Sequence, residues 1–312
     1  MTTAVLSALI RPLVEPRLPQ WVEPLWFASQ EEALELAPRA EIGWFDFAQP
    51  EPMVAVTRAA TKLKWLNSIY AGLDFLPLDL LRERGVTVTN GAGINAVTIA
   101  EYTVMLMLAH AKGLPQVIRA ADRREWLPDS PGKRELAGER VLLLGLGAIG
   151  RLVKTRLEAF DMEVVPVRRS RTDGALGPDG WRERLGGFDW VILAVPATAE
   201  TDGMIGAAEL AAMKSSAVLV NIARGTVVDQ PALIEALRNR RIEAALLDVT
   251  TPEPLPPDHP LWSLENALIT MHLSGRAQTG MFRRSADRFI DNLHRWRAGE
   301  PVEPRMDLQL GY

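Results

Sequence analysis

Apolar residues in this chain gather into short runs set between stretches of helical spacing. In the first third, β-type runs occupy residues 4–9, 42–45, 64–69 and 86–89, parted by helical or proline-rich pieces. Beyond residue 139 the runs at 140–144, 163–167, 190–195, 217–222, 244–248 and 268–270 alternate with helical segments. A strand covered on both faces reads as an unbroken apolar run, so this alternation predicts parallel sheets with helices on both sides. Between the two series, Val97, Ile99, Ala100, Val104, Leu106, Met107, Leu108 and Ala111 predict a long buried helix within 95–122, broken near Gly113 and Pro115. A polar, turn-rich passage follows at 127–138. A last amphipathic helix, near 278–296, lies beyond the final strand and is expected to return to the first series.

Composition narrows the picture. The chain has 312 residues, and single cores stop growing near about 250–300 residues, so two domains are expected. Basic and acidic residues number 35 and 39, a net charge of -4, with no basic block to track a phosphate backbone. Nucleic acid is therefore not an expected partner. The absence of cysteine excludes a disulfide framework, a thiol nucleophile and a Cys-ligated metal, and is compatible with a reducing compartment. Residues 1–10 are apolar but run into Arg11 and Pro12 without a basic leader, unlike a secretory signal. The longest mainly apolar stretch, 102–109, is far short of the roughly 20 residues of a membrane span. A cytoplasmic location without a membrane partner is the expectation.

The strongest local motif joins the strand 140–144 to Gly145-Leu-Gly147-Ala148-Ile149-Gly150 and a following helix. Gly145 permits the tight turn, Gly147 lets backbone approach a pyrophosphate, and Gly150 allows close helix packing, while the helix start with Ala148 and Ile149 offers amides to the anion. The end of the next strand is where an NAD site usually carries a carboxylate for the adenine ribose. Arg168, Arg169 and Ser170 stand there instead. Guanidinium groups and a hydroxyl suit a 2′-phosphate, so NADP(H) is expected as the preferred cofactor, with NAD(H) kept open.

With that motif in place, the sequence resembles the D-isomer-specific 2-hydroxyacid dehydrogenases from about Lys64 onward, with a pattern nearest the glyoxylate and hydroxypyruvate reductases. The resemblance rests on Tyr70-Ala71-Gly72-Leu73-Asp74, the helix start at 95–101, the glycine motif, Pro196-Ala-Thr198-Ala-Glu-Thr201, Asn221-Ile-Ala-Arg224-Gly225, Asp248-Val-Thr-Thr-Pro-Glu253-Pro254-Leu255 and Thr270-Met-His272-Leu-Ser-Gly275 in that order. It implies an α/β fold of two Rossmann-like domains with parallel sheets. A dinucleotide-binding domain, 95–276, would be inserted into a substrate domain made of 1–94 and 277–312.

Reduction of a carbonyl by hydride needs a proton donor and a fixed cation. Of the four histidines, His272 alone follows an apolar strand at the end where open α/β sheets place ligands. The resemblance makes His272 the proton donor and acceptor, Glu253 the carboxylate that orients it and favours its imidazolium form, and Arg224 the cation that binds and polarises substrate. It further implies that the amides of Ala71 and Gly72 hold the substrate carboxylate, and that Asp248 receives the nicotinamide carboxamide. Val195, Pro196, Thr201, Ile222, Ala223 and Gly275 would complete the cofactor contacts, although Thr201 could equally cap its own helix. No metal is expected, because Arg224 supplies the polarising charge and the histidines show no ligand spacing.

The implied substrate is a small 2-oxo acid, glyoxylate, hydroxypyruvate or similar, and the implied assembly is a homodimer through the cofactor domain, with 113–138 as an arm. Two alternatives remain: a dinucleotide-sensing regulatory protein of the same fold, and a phosphoglycerate dehydrogenase-like enzyme, against which Arg168 counts. The chain also departs from the pattern. Met271 replaces the usual proline before the histidine, Ser274 replaces a common alanine, and the match before Lys64 is poor.

Overall fold

A computed structural model describes residues 1–73, 75–169, 174–276 and 278–309. The chain divides into two compact α/β units, Met1–Asn95 with Ala277–Tyr312, and Ala96–Arg276. Each is built on one parallel sheet, so the expected fold class of two Rossmann-type domains holds.

The first unit contains strands β1 (Thr2–Ser7), β2 (Val22–Phe27), β3 (Ile42–Trp44), β4 (Trp65–Asn67) and β5 (Thr87–Thr89), with helices α1 (Arg11–Val14), α2 (Gln30–Leu36), α3 (Pro50–Ala59) and α4 (Leu78–Glu83) between them. The strands lie in the order β2-β1-β3-β4-β5 and every pair is parallel. Strand β2 is absent from the sequence reading because Pro24 interrupts it. It is an edge strand, where a missing amide costs no ladder bond on the open side.

The second unit opens with α5 (Ala96–Ala111) and α6 (Leu114–Asp122), separated at Gly113, whose φ of +63° ends the first helix where the glycine and proline predicted a break. Strands β6 (Arg140–Leu144), β7 (Glu163–Val167), β8 (Trp190–Leu193), β9 (Val218–Asn221), β10 (Ala244–Leu247) and β11 (Ala267–Ile269) follow, with α7 (Ala148–Glu158), α8 (Ala207–Ala212) and α9 (Gln230–Arg238) as crossovers. Their order is β11-β10-β9-β8-β6-β7, so the chain reverses direction across the sheet between β6 and β8. That reversal parts the loops at the carboxyl ends of these two strands and leaves a crevice there. The unbroken apolar runs have a direct cause. Leu142 and Leu144 of β6 pack with Trp181, Phe188, Leu210 and Leu233 on one face, whereas Val141 and Leu143 pack with Met107, Val153 and Leu157 on the other. Both faces are interior, so the period-2 polar positions of a half-exposed strand never appear.

Helix α10 (Gln278–Ala298) returns to the first unit. Its Phe289 ring sits 4.9 Å from Trp44 and 5.2 Å from Trp65, and Trp296 stacks on Trp65 at 5.8 Å. Trp44 and Trp65 are thus core aromatics, 1% and 0% exposed. Among the described residues, no helix is long and apolar enough to cross a membrane.

Candidate functional site

The three motif glycines serve different ends. A Cβ at Gly145, which has φ of +106°, would lie 2.4 Å from the Ala194 carbonyl oxygen beyond β8, and one at Gly150 would lie 2.1 Å from the Gly145 carbonyl. Both glycines are required by the protein's own close packing at the switch between β6 and β8. Gly147 differs, because a Cβ there would meet nothing within 4 Å. It stands at the N-cap of α7, before Ala148 and Ile149, and no side chain caps that helix. Open space beside an uncapped helix N-terminus fits the pyrophosphate of a dinucleotide.

Beyond β7 the Arg168 amide donates to the Leu176 carbonyl at 3.0 Å, and the Leu176 amide to the Pro166 carbonyl at 2.8 Å, which folds the chain back immediately after the strand. Arg168 is half-buried; Arg169 is exposed and ion-paired with Glu200. Ser170 lies outside the described residues, as does Asp74 of the earlier motif. Val195 and Pro196 follow β8. The Thr201 hydroxyl accepts from the Thr198 amide at 2.8 Å and donates to the Pro196 carbonyl at 2.7 Å, so this buried side chain closes the turn it belongs to.

The residues expected to react follow three adjacent strands. After β9, the buried Asn221 side chain pins the next turn: its Oδ1 accepts from the Ala223 amide and its Nδ2 donates to the Arg224 carbonyl, both at 3.0 Å. Ile222 and Ala223 are buried, while the Arg224 side chain is exposed, with Nη1 donating to the Ala223 carbonyl at 2.8 Å. No described carboxylate pairs with Arg224, so its guanidinium can receive an anion. At Gly225 a Cβ would lie 2.0 Å from the Thr250 carbonyl oxygen, so glycine lets this turn press against the one that carries Glu253.

After β10, Glu253 Oε1 accepts from the Thr250 amide at 3.0 Å and Oε2 lies 2.8 Å from His272 Nδ1. One carboxylate oxygen is therefore fixed to its own turn while the other holds the imidazole. Both side chains remain partly open to solvent, 37% for Glu253 and 46% for His272. With Nδ1–H donating to Glu253, Nε2 is the ring atom left to exchange a proton.

After β11 the backbone is unusual. Met271 and His272 have φ of +54° and +56°, two successive side-chain-bearing residues in the left-handed region. The bond from the Leu273 amide to the Thr270 carbonyl at 3.1 Å closes the turn around them, and Asp248 anchors it. Its Oδ1 accepts from Thr270 Oγ1 at 2.8 Å, the Leu273 amide at 3.0 Å and the Ser274 amide at 3.2 Å; its Oδ2 accepts from Ser274 Oγ at 2.5 Å. Its carbonyl takes the His272 amide at 2.5 Å. The carboxylate expected to meet a nicotinamide carboxamide thus also anchors the histidine loop, and the residue is 2% exposed. The two departures from the family pattern belong to the same feature. A proline, fixed near -65°, cannot adopt the φ of Met271, and the Ser274 hydroxyl supplies a bond that alanine lacks. Gly275 follows, half-buried.

In the first unit, Ala71 and Gly72 follow β4 on a loop anchored by a residue that no sequence motif marks. Asp46 Oδ2 accepts from Trp44 Nε1 at 2.6 Å and from the Ile69 amide at 2.8 Å, and its Oδ1 accepts from Ser68 Oγ at 2.6 Å. Burial pushes its carboxyl up to about 6, against the opposing pull of these three donors. Asn90 Nδ2 donates to the Ala71 carbonyl at 2.8 Å, and the Gly91 amide to the Tyr70 carbonyl at 2.8 Å. No described residue accepts a hydrogen bond from the Ala71 or Gly72 amide.

A cavity of about 310 Å³ lined by Arg140, Glu183 and Phe188 lies by the amino end of β6 and includes none of these residues. Among the described residues, no group of three His, Cys, Asp or Glu side chains could hold a metal ion.

Residues 104–274 match the family model described as D-isomer specific 2-hydroxyacid dehydrogenase, NAD binding domain. A glyoxylate reductase of Korarchaeum cryptofilum is 34% identical over 254 residues, 78% of this chain and 76% of the relative. A D-3-phosphoglycerate dehydrogenase of Methanocaldococcus jannaschii is 36% identical over 223 residues; the match takes in 70% of this chain but only 42% of that longer relative. The crystal structure of a D-isomer specific 2-hydroxyacid dehydrogenase family protein from Aeromonas salmonicida superposes with a TM-score of 0.87 at 30% identity, over 98% of this chain and 99% of the other.

Proposed function

The chain belongs to the D-isomer specific 2-hydroxyacid dehydrogenase family, and from that premise we propose that it is a nicotinamide-dependent oxidoreductase of the cytoplasm. It reduces a small 2-oxo acid, glyoxylate, hydroxypyruvate or similar, to the D-2-hydroxy acid. The observation that carries this reading is the Glu253–His272 pair at 2.8 Å, on a turn adjoining that of an Arg224 free of any described carboxylate.

The dinucleotide, when bound, supplies the hydride. Arg224 binds the substrate carboxylate and carbonyl oxygen, and its positive charge stabilises the negative charge that builds on that oxygen. His272 delivers a proton from Nε2 to the same oxygen, and Glu253 keeps Nδ1 bonded and the ring in place. Ala71 and Gly72 present main-chain amides to the substrate carboxylate. Gly145, Gly147 and Gly150 with the start of α7 hold the pyrophosphate, and Val195, Pro196, Ile222, Ala223 and Gly275 line the cofactor's path. A panel of glyoxylate, hydroxypyruvate, pyruvate and larger 2-oxo acids tests the reading. Turnover that disappears on His272 substitution supports it, whereas tight dinucleotide binding without turnover of any substrate would favour a sensor. The likeness to a phosphoglycerate dehydrogenase keeps a second reading, so 3-phosphohydroxypyruvate belongs in the panel.

NADP(H) is the preferred cofactor, through Arg168, Arg169 and Ser170 at the adenine ribose. One or two charge-assisted bonds to the 2′-phosphate correspond to about a 10- to 100-fold preference. Fluorescence titration is expected to give a Kd for NADPH lower than that for NADH by such a factor, and Arg168→Ala should narrow the gap. Equal or reversed affinities would remove the assignment.

The assembly is a homodimer formed through the second unit. That unit exposes Met105, Leu114, Val117, Ile118 and Trp126 on and just beyond α5 and α6, apolar side chains that a second copy would cover. Light scattering is expected to return twice the 34.5 kDa chain mass, shifting toward the monomer for Ile118→Asp. A wild-type protein that remains monomeric at all concentrations would refute this.

A further inference from the structure

We infer that Asp46 is a positioning residue for substrate binding: through Ser68 and Ile69 its carboxylate holds loop 68–72 in the form that leaves the Ala71 and Gly72 amides open to a substrate carboxylate. The inference rests on the role proposed above for those two amides.

Asp46 lies just past β3 and the loop just past β4, neighbouring strands whose ends would otherwise be independent. One half-buried carboxylate ties them together. It accepts from the Ile69 amide directly, and it accepts from Ser68 Oγ, which in turn accepts from the Tyr70 amide at 3.1 Å. The Tyr70 hydroxyl donates to the Phe47 carbonyl at 2.8 Å, a second bridge from the residue after Asp46. From the far side, Asn90 Nδ2 and the Gly91 amide take the carbonyls of Ala71 and Tyr70. A Cβ at Gly91 would fall 1.8 Å from the Ile69 carbonyl oxygen, so the loop is pressed against this second support. The amides of residues 69 and 70 and the carbonyls of 70 and 71 are thereby engaged. The next two amides are the ones left over. An anion-binding turn needs that pattern, because main-chain donors bind well only if they are held pointing outward before the ligand arrives.

The three groups that touch the carboxylate, the Trp44 indole, the Ser68 hydroxyl and the Ile69 amide, are neutral donors. No described cation pairs with it. A cation would have stabilised a surface carboxylate more simply. Three donors converging on one half-buried carboxylate match an acceptor-only group, and an amide in its place would accept at one end only, so the Ser68 hydroxyl would have to turn and give up its donor role.

The test is steady-state kinetics of the full-length protein with NADPH and its best 2-oxo acid, together with direct titration of NADPH. Asp46→Asn and Ser68→Ala are each expected to raise KM for the 2-oxo acid about tenfold, the loss of roughly one such bond. The expected kcat stays within about twofold and the NADPH Kd is unchanged, because the reacting groups and the dinucleotide turn lie in the other unit. Gly72→Pro, which deletes one of the two amides, separates the failures. If it raises KM while Asp46→Asn and Ser68→Ala do not, the role of Asp46 is overturned and the loop assignment survives. If all three leave KM unchanged, the loop assignment falls and Asp46 with it. Equal losses in kcat, KM and NADPH affinity for Asp46→Asn would mark a general structural defect and also overturn the inference. Should Asp46→Asn fail to fold, Ser68→Ala decides.

Discussion

His272→Gln is expected to lower kcat/KM for the 2-oxo acid by about 10³–10⁴-fold, near the upper range for loss of a general acid, while NADPH affinity stays within about twofold. Glutamine approximates the length of the imidazole and can still donate a hydrogen bond to Glu253, but it carries no proton that it can give up near neutral pH. The loss should therefore fall on kcat. Glu253→Gln is expected to be milder, because the carboxamide can still accept from Nδ1–H through its oxygen; what disappears is the negative charge that stabilises the imidazolium. A loss of about 10- to 100-fold, following the outer-shell partners of functional histidines, would place Glu253 as the residue acting through His272. Stopped-flow measurement of NADPH oxidation in a single turnover separates chemistry from product release. If His272→Gln oxidised NADPH at the wild-type rate in that experiment, the proton-donor assignment would be wrong. Arg224→Lys should also damage turnover, since an ammonium lacks the planar fork that spans carboxylate and carbonyl oxygens.

Much of the fold is legible in the sequence because burial on both faces writes itself directly into residue type. Val141 to Leu144 carry no polar position since neither face of β6 meets water. The helix break at Gly113 is legible for a similarly local reason, a φ that glycine adopts without strain. Strand β2 is not legible: Pro24 disrupts the local pattern, and only its place at the sheet edge makes that tolerable. The same division runs through the site. Gly150 could be read from spacing because its requirement is a contact with the Gly145 carbonyl inside one strand-turn-helix unit, and Gly145 because its φ of +106° belongs to that same turn. Asp46 could not. Between Phe45 and Phe47 it looks like an isolated acid, and its meaning depends on Ser68 and Ile69, more than twenty residues away. Met271 and Ser274 are visible in the sequence as departures from a family pattern, yet their common cause emerges only from the backbone angle at one and the hydrogen bond at the other.

That common cause makes Asp248 the second residue on which the site depends most heavily. Asp248→Ala is expected to cost about 3–5 kcal/mol in the second unit, from buried neutral donors left without an acceptor at about 1–3 kcal/mol each, and to lower kcat/KM by at least about 100-fold, as for a reacting group displaced by an ångström. Thr270 Oγ1, the Ser274 amide and Ser274 Oγ would lose this acceptor together, and the Leu273 amide would keep only the Thr270 carbonyl. Two main-chain bonds remain at Met271 and His272, from the Leu273 amide to the Thr270 carbonyl at 3.1 Å and from the His272 amide to the Asp248 carbonyl, and alanine retains both, so the turn persists while its side-chain anchor is lost. A residue that only received the nicotinamide carboxamide would behave differently: its loss would weaken dinucleotide binding and leave stability nearly unchanged. Ser274→Ala offers the graded comparison, since it removes one of the four donors and should cost about 1 kcal/mol, the net worth of a single hydrogen bond. Thermal denaturation of both variants, read beside their kcat and NADPH Kd, distinguishes the two roles. An Asp248→Ala protein with wild-type stability and impaired NADPH binding would return the residue to the cofactor, whereas lost stability with a fallen kcat and intact NADPH binding would leave it with His272.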